Sequence, residues 1–207
     1  MKNLRAFFFL VVAACISACA PEPSVTTDQM ADDATQLPLL EIVDSELRTT
    51  HSLKYVFTIG DGFRLTEVNN REDVFNGTPF SISRAAFIRD DEAIMIHAET
   101  VSDQSNASNY ENLPEATWPN SNFRSQGHVC LEIGADDIEN EDDPQWLIQN
   151  GFSPIGTLMF SQAFLSSADY NDEIVVSLFR LVGSCDNASN AVKFERLQSE
   201  LTVTARQ

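Results

Sequence analysis

Basic side chains are scarce in this chain. Its 207 residues carry 13 Lys and Arg against 31 Asp and Glu, a formal charge of −18 at pH 7. Nucleic acids are gripped largely by Lys and Arg neutralising phosphates, so this balance argues against a nucleic-acid partner. It also disfavours a broad attraction to anionic lipid headgroups. Histidine is scarcer still, with only His51, His97 and His128, so imidazole chemistry can be surveyed completely. The zinc-protease pattern H-E-x-x-H, a C-x-x-C pair and the hydrolase elbow G-x-S-x-G are all missing, and with them the usual signatures of those chemistries. No apolar run past the first 14 residues is long enough to cross a bilayer, and no internal repeat occurs. What is present is enough apolar material, 43% of residues with 14 Phe, to build a core. The length suits one folded domain plus a tail.

The N-terminus carries the sharpest signal. Lys2 and Arg5 precede an apolar run from Ala6 to Ala14 that ends in Cys15-Ile16-Ser17-Ala18-Cys19. A permanent spanning helix needs about 20 apolar residues, so this segment reads as a processing signal. Ile16-Ser17-Ala18-Cys19 resembles the lipobox of bacterial lipoproteins. The resemblance implies that residues 1–18 are a signal peptide and that Cys19 receives diacylglycerol, becoming the first mature residue. Inner-membrane lipoproteins tend to carry Asp after the acylated cysteine; here that position is Ala20, which implies an outer-membrane protein facing the periplasm. Acyl chains contribute about 0.8 kcal/mol per buried CH₂, so the lipid would be a lasting membrane anchor. Two alternatives stay open: acylation at Cys15, behind a shorter apolar core, and ordinary secretory cleavage after Ala18 or Ala20. Cys19→Ser is expected to block acylation and leave uncleaved precursor, read by labelling with a radioactive fatty acid. A normally processed, soluble product from that variant would overturn the lipobox reading.

Removing residues 1–18 takes away Lys2 and Arg5 and no acid, so the charge moves from −18 to −20 and the acidity belongs to the mature chain. Residues 19–38 are rich in Pro, Ser, Thr, Asp, Gln and Ala, which is the composition of a flexible tether. Leu37, Leu39, Leu40 and Ile42 open a single domain over residues 39–207. Within it, Tyr55–Ile59 and Phe63–Val68 flank Gly60-Asp61-Gly62 and read as a hairpin. A second hairpin joins Ser81–Arg89 to Ala93–Val101, with Ile94, Ile96 and Ala98 on the expected core face and Met95, His97 and Glu99 on the other.

Residues 128–133 predict a further strand, and Asp143-Pro144 opens a helix of two turns at most, stopped by Asn150-Gly151. Residues 156–166 and 173–183 form the clearest hairpin; Ile174–Val176 and Leu178–Val182 are apolar throughout, as in a strand covered on both faces. Ala191, Phe194, Leu197 and Leu201 recur at helical spacing, predicting a helix over 190–201. The expectation is an α+β fold: a mainly antiparallel sheet, a short central helix and a C-terminal helix packed on the sheet.

Candidate functional residues fall into three groups. Cys130 and Cys185 remain once the lipid site is set aside, and an even pair in an oxidising periplasm predicts a disulfide. The alternative, a redox pair or thiol nucleophile, comes with a C-x-x-C or a nearby base, and the sequence shows neither. His97 and Glu99 share a strand face; were the strand headed by His128 its neighbour, the three would converge as an acid/base or metal site, with Glu132 nearby. The plainer reading is a hydrogen-bonded strand histidine, with no cofactor and no metal. The third group lies in residues 102–127, a polar stretch of about 25 residues, long enough to be functional if ordered. Tyr110, Trp118 and Phe123 are its packing groups and its candidate binding anchors, Trp118 being the largest. The acidic run Asp136–Asp143 lacks the ligand spacing of an EF-hand and reads as a solvated loop. Taken together these features predict a non-catalytic binding or assembly module of the envelope, acting on a protein or another envelope component. An envelope hydrolase or metal-dependent enzyme using His97, Glu99 and His128 is the alternative.

Overall fold

Two antiparallel sheets organise the chain. The computed structural model describes residues 38–206 apart from 107–108, 117 and 119–121. The expected signal peptide, and the expected tether up to Leu37, lie outside the described residues, while residues 38–207 make one compact unit. The smaller sheet has four strands: β1 (Leu40–Val43), β2 (Glu46–Thr49), β3 (Tyr55–Ile59) and β11 (Leu201–Ala205), in the order β1-β2-β3-β11. The larger has seven: β4 (Arg64–Leu65), β5 (Asn69–Phe75), β6 (Thr78–Arg89), β7 (Glu92–Val101), β8 (Arg124–Ile133), β9 (Gly156–Ser166) and β10 (Asp172–Leu181). Its order is β4-β6-β7-β10-β9-β8, with β5 also pairing β6. Three helices are described: α1 (Ala135–Ile138), α2 (Asp142–Gln149) and α3 (Ser189–Glu200).

Local chemistry sets these elements. Asn76-Gly77 joins β5 to β6 with both residues at positive φ, 52° and 85°, the backbone that a two-residue hairpin turn requires and that Asn and Gly tolerate best. The ladder then runs without interruption from Phe80↔Val101 to Arg89↔Glu92 between β6 and β7. The long hairpin of β9 and β10 is present as read, from Glu173↔Ser166 to Leu181↔Leu158. Helix α2 begins at Asp142 with Glu141 at its N-cap, two residues before the expected Asp143 cap and Pro144 start, and stops at Asn150-Gly151, where Gly151 has φ 89°. Asp142 and Asp143 sit in its first turn, where carboxylates favour the helix dipole.

The alternation of side chains across each strand divides the large sheet into two buried faces. On the first, Ala85 and Phe87, Ile94 and Ile96, Ala163 and Leu165, and Val176 and Leu178 join Leu47 and Phe57 of the small sheet and Phe194 and Leu197 of α3 in one core. On the second, Phe160 and Phe179 lie 5.1 Å apart between ring centres, and Phe152, just past α2, packs 6.0 Å from Phe179. Trp146 and Leu147 of α2 are buried above that face. Both faces of the central strands are thus covered, as the apolar runs of β10 require.

Two expectations need correction. Tyr55–Ile59 and Phe63–Val68 are not a hairpin: β3 pairs β2 and β11, whereas β4 pairs β6, so the Gly60-Asp61-Gly62 turn carries the chain from one sheet to the other. The reason is that both edges of β3 are already occupied. The last helix is not the last element, since Leu201 closes it and begins β11. The fold is mostly antiparallel β, with helices that are few and short.

Candidate functional site

The second face of the large sheet carries a row of polar side chains under α2, and most of the candidate chemistry is there. Arg84 on β6 is the direct cross-strand partner of His97 on β7, and Glu99, two residues on, is the direct partner of Glu173 on β10. All four are almost fully buried, His97 being 6% exposed. His97 Nδ1 lies 3.0 Å from Glu99 Oε1. Its other nitrogen, Nε2, faces Asp143 Oδ1 of α2 across 3.5 Å, the spacing of an ion pair without a formed hydrogen bond. Arg84 donates from Nη1 to Asp143 Oδ1 at 2.6 Å and also to Asp142, while its Nε donates to Asn69 Oδ1 at 3.0 Å. Its guanidinium lies 4.8 Å above the Trp146 ring. Arg71 of β5 reaches Asp142 Oδ2 at 3.2 Å and pairs with Asp73.

The electrostatics follow from this packing. Burial by itself would push the His97 imidazolium toward its neutral form. The Asp143 charge, then the Glu99 hydrogen bond and charge, outweigh that effect despite Arg71, and hold His97 above its ordinary value. Burial likewise works against the Asp143 carboxylate, but His97, Arg84 and Arg71 together keep its pKa below the usual range. The pair favours its charged form on both sides and joins α2 to β7.

His128 does not belong to this group. Strands β10 and β9 lie between β7 and β8. The register His128↔Ser161, Ser161↔Leu178 and Leu178↔Ile94 places it on the face of Ile94, opposite to that of His97. Its ring lies 5.6 Å from Phe194 of α3. Glu132 is exposed and accepts from the Thr157 hydroxyl at 2.8 Å. His51, in the turn between β2 and β3, meets the backbone oxygen of Glu173 at 3.1 Å, and burial lowers its pKa. Sequence reasoning brought His97 and Glu99 together; Asp143 was read only as a helix cap and Arg84 was not singled out. Their signal, an Asp pair opening a helix in a chain with few cations, does not reveal which strand the helix covers.

The 102–127 stretch packs down around the sheet. Tyr110 stacks on Phe164 at 4.5 Å and donates its hydroxyl to Glu173 Oε2 at 2.7 Å, on the second face. Trp118 and Phe123 belong to the first-face core, where their rings meet edge to face at 5.7 Å and Trp118 donates to the Gln198 carbonyl at 3.0 Å. Ala116 and Ser125 extend this packing with backbone bonds of 2.8 Å to Phe123 and 2.9 Å to Pro114, which cover the outer edge at the start of β8. The segment is a strap whose ends grip opposite faces. With Tyr110 at 7%, Trp118 at 6% and Phe123 at 0% exposure, these rings are packed within the domain and fasten the strap to it. Trp118→Ala is expected to destabilise the domain by about 3–5 kcal/mol and to admit rapid proteolytic cutting between residues 102 and 127. A variant as resistant as the parent would show that the ring does not fasten the strap.

Cys130 and Cys185 form a disulfide between β8 and the segment preceding α3. Among the described residues, no group of three or more His, Cys, Asp or Glu is placed to hold a metal ion, and no helix is long and apolar enough to cross a membrane. No family model, curated protein or solved structure matches the chain.

Proposed function

We propose that the chain is an outer-membrane lipoprotein, anchored through acylated Cys19, whose domain serves in the periplasm as a non-catalytic binding or assembly module for another envelope component. What supports the reading is the closure around His97. A general base must come within hydrogen-bond reach of the proton that it takes. Around His97 those positions are filled from within, by Glu99 at 3.0 Å and Asp143 at 3.5 Å. These charges fasten a helix to a sheet and so stiffen a scaffold. The enzymatic reading needs His97, Glu99 and His128 to converge, and the sheet itself separates His128 from the other two. A tether of some 20 residues spans roughly 25 Å on average, enough to hold such a scaffold off the bilayer.

Recognition is assigned to the outer surface of the strap, where Glu111 and Asn112 are exposed beside the buried Tyr110. The test places a photo-crosslinking residue at Asn112 of the full-length chain in its own envelope, with a control at Val74, a 62% exposed position on β5. A discrete adduct from Asn112, absent from Val74, is the expected result. Adducts from neither position, together with turnover of an envelope substrate that His97→Gln abolishes, would overturn the binding reading in favour of the enzyme.

A further inference from the structure

We propose that helix α2 is a pH-responsive latch: the charged His97 pins Asp143 to the second face of the large sheet, and loss of the His97 proton as the medium turns alkaline loosens α2 while both sheets stay folded. The inference goes beyond the binding role and stands or falls separately from it.

Its basis is geometric. The ion pairs that tie α2 to the sheet come from its first turn, where Asp142 and Asp143 meet Arg71 of β5, Arg84 of β6 and His97 of β7, while at the other end Arg64 of β4 donates to the carbonyl of the C-cap Asn150. Of these three cations only the imidazole can lose its proton near neutrality. The groups facing His97 are Asp142 and Asp143 on α2, Arg84 and Arg71 on the neighbouring strands, Glu99 on its own strand and, opposite Glu99, Glu173 on β10. With His97 charged, Arg71, Arg84 and His97 face Asp142, Asp143 and Glu99, with Asp73 also on Arg71 and Glu173 opposite Glu99 as further acids. With His97 neutral, Glu99 is left buried beside Glu173 with no adjacent cation of its own, and Asp143 loses one of its three. The rest of α2 offers one apolar face, Pro144, Trp146 and Leu147, on a helix of eight residues. Helices this short depend on their packing and are marginal alone.

The sign follows from linkage. Asp143 raises the proton affinity of His97 in the latched state, and with α2 open that charge is gone while Glu99 and Arg71 remain on their strands, so His97 holds its proton less tightly there. Its contribution is therefore complete below the pKa of the open state and is lost as pH rises through the higher pKa of the latched one. Between those limits the opening of α2 grows by up to about tenfold per pH unit, and beyond the upper limit it levels off. His51 does not imitate this response, because burial lowers its pKa and it is already neutral in that range.

Hydrogen exchange on the full-length acylated protein in detergent, corrected for the intrinsic rise of exchange with pH, tests the latch between about pH 6 and about pH 9. The expected result is a progressive loss of protection over 142–149 with the β7 and β10 amides unchanged, and a midpoint equal to that of the His97 ring followed by nuclear magnetic resonance. In His97→Gln the α2 amides are expected to be open at every pH. Should that variant fail to fold, Asp143→Asn serves instead: it removes the anion that His97 pins, so the α2 amides are expected to lose their pH dependence while the His97 ring still titrates, with a lowered midpoint. Corrected protection of α2 that is flat with pH in the parent protein, or that falls equally in β7 and β10, would overturn the proposal.

Discussion

Glu92→Ala is expected to be among the most damaging single substitutions in the domain, lowering stability by about 3–5 kcal/mol because it strands a buried arginine. Glu92 opens β7, and the register places it directly opposite both Arg89 of β6 and Arg180 of β10. Its side chain is 3% exposed and takes Arg89 at 2.5 Å, Arg180, and Arg196 of α3 at 3.7 Å. Glu200 completes the cluster, 2.8 Å from Arg89 and 3.4 Å from Arg196. One carboxylate thus ties three strands and a helix at the end of the sheet. Burial, opposed by Asp91 and reinforced by Arg196 and Arg89, already depresses the proton affinity of Arg180. Removing Glu92 leaves that guanidinium beside Arg89 and Arg196 with only the half-exposed Asp91, 3.8 Å away, and Glu200 to offset them. For a domain of this size the midpoint of thermal unfolding, followed by circular dichroism, is expected to fall by roughly 6–20 °C. Arg196→Ala is the internal comparison: its side chain is 59% exposed, so its loss is expected to cost less than about 1 kcal/mol. Equal effects from the two variants would show that Glu92 is not the hub.

Replacing Cys130 and Cys185 together by Ala is expected to cost about 4 kcal/mol, on the chain-entropy estimate for a bridge with a sequence separation of 55. The effect is large because the bridge ties edge strand β8 to the chain entering α3, elements that the β9 and β10 hairpin separates in sequence. Urea unfolding with and without reductant measures it, the double variant losing its sensitivity to reductant. Two alkylatable thiols in denatured protein taken from its envelope would remove the premise.

The sequence made faces legible and left neighbours obscure. Alternation in β7 separated Ile94, Ile96 and Ala98 from Met95, His97 and Glu99, because side-chain period is a local property of the strand. It could not tell that β10 and β9 stand between His97 and His128, since strand order is decided by contacts far apart in sequence. For the same reason the charge pairs were invisible: Asp143 sits 59 residues from Arg84. Cysteine pairing was readable by counting once Cys15 and Cys19 were set aside for the expected signal peptide and lipid site. Strand β11 escaped because Leu201 completes the helical repeat of α3, and the short Thr202-Val203-Thr204 run behind it is half-exposed and carries no turn signal before it. The strap was recognised by its length and its rings, yet aromatics in a polar loop look alike whether they face a partner or the core, and only burial separates the two cases.

The pairing of β3 with β11 has a consequence for the order in which the molecule can be assembled. Residues 55–59 stay without one of their two strand partners until residues 201–205 have been made. Contacts of such long sequence separation slow folding, because much of the chain must be ordered before they repay it. A nascent or threading chain therefore carries Tyr55 and Phe57, both core residues, with an open strand edge until residues 201–205 arrive. In that interval the small sheet can neither close nor bury the first face of the large one, so completion of the domain waits on its C-terminal strand. A chain shortened before residue 201 keeps every element of the large sheet and still lacks the strand that finishes the fold.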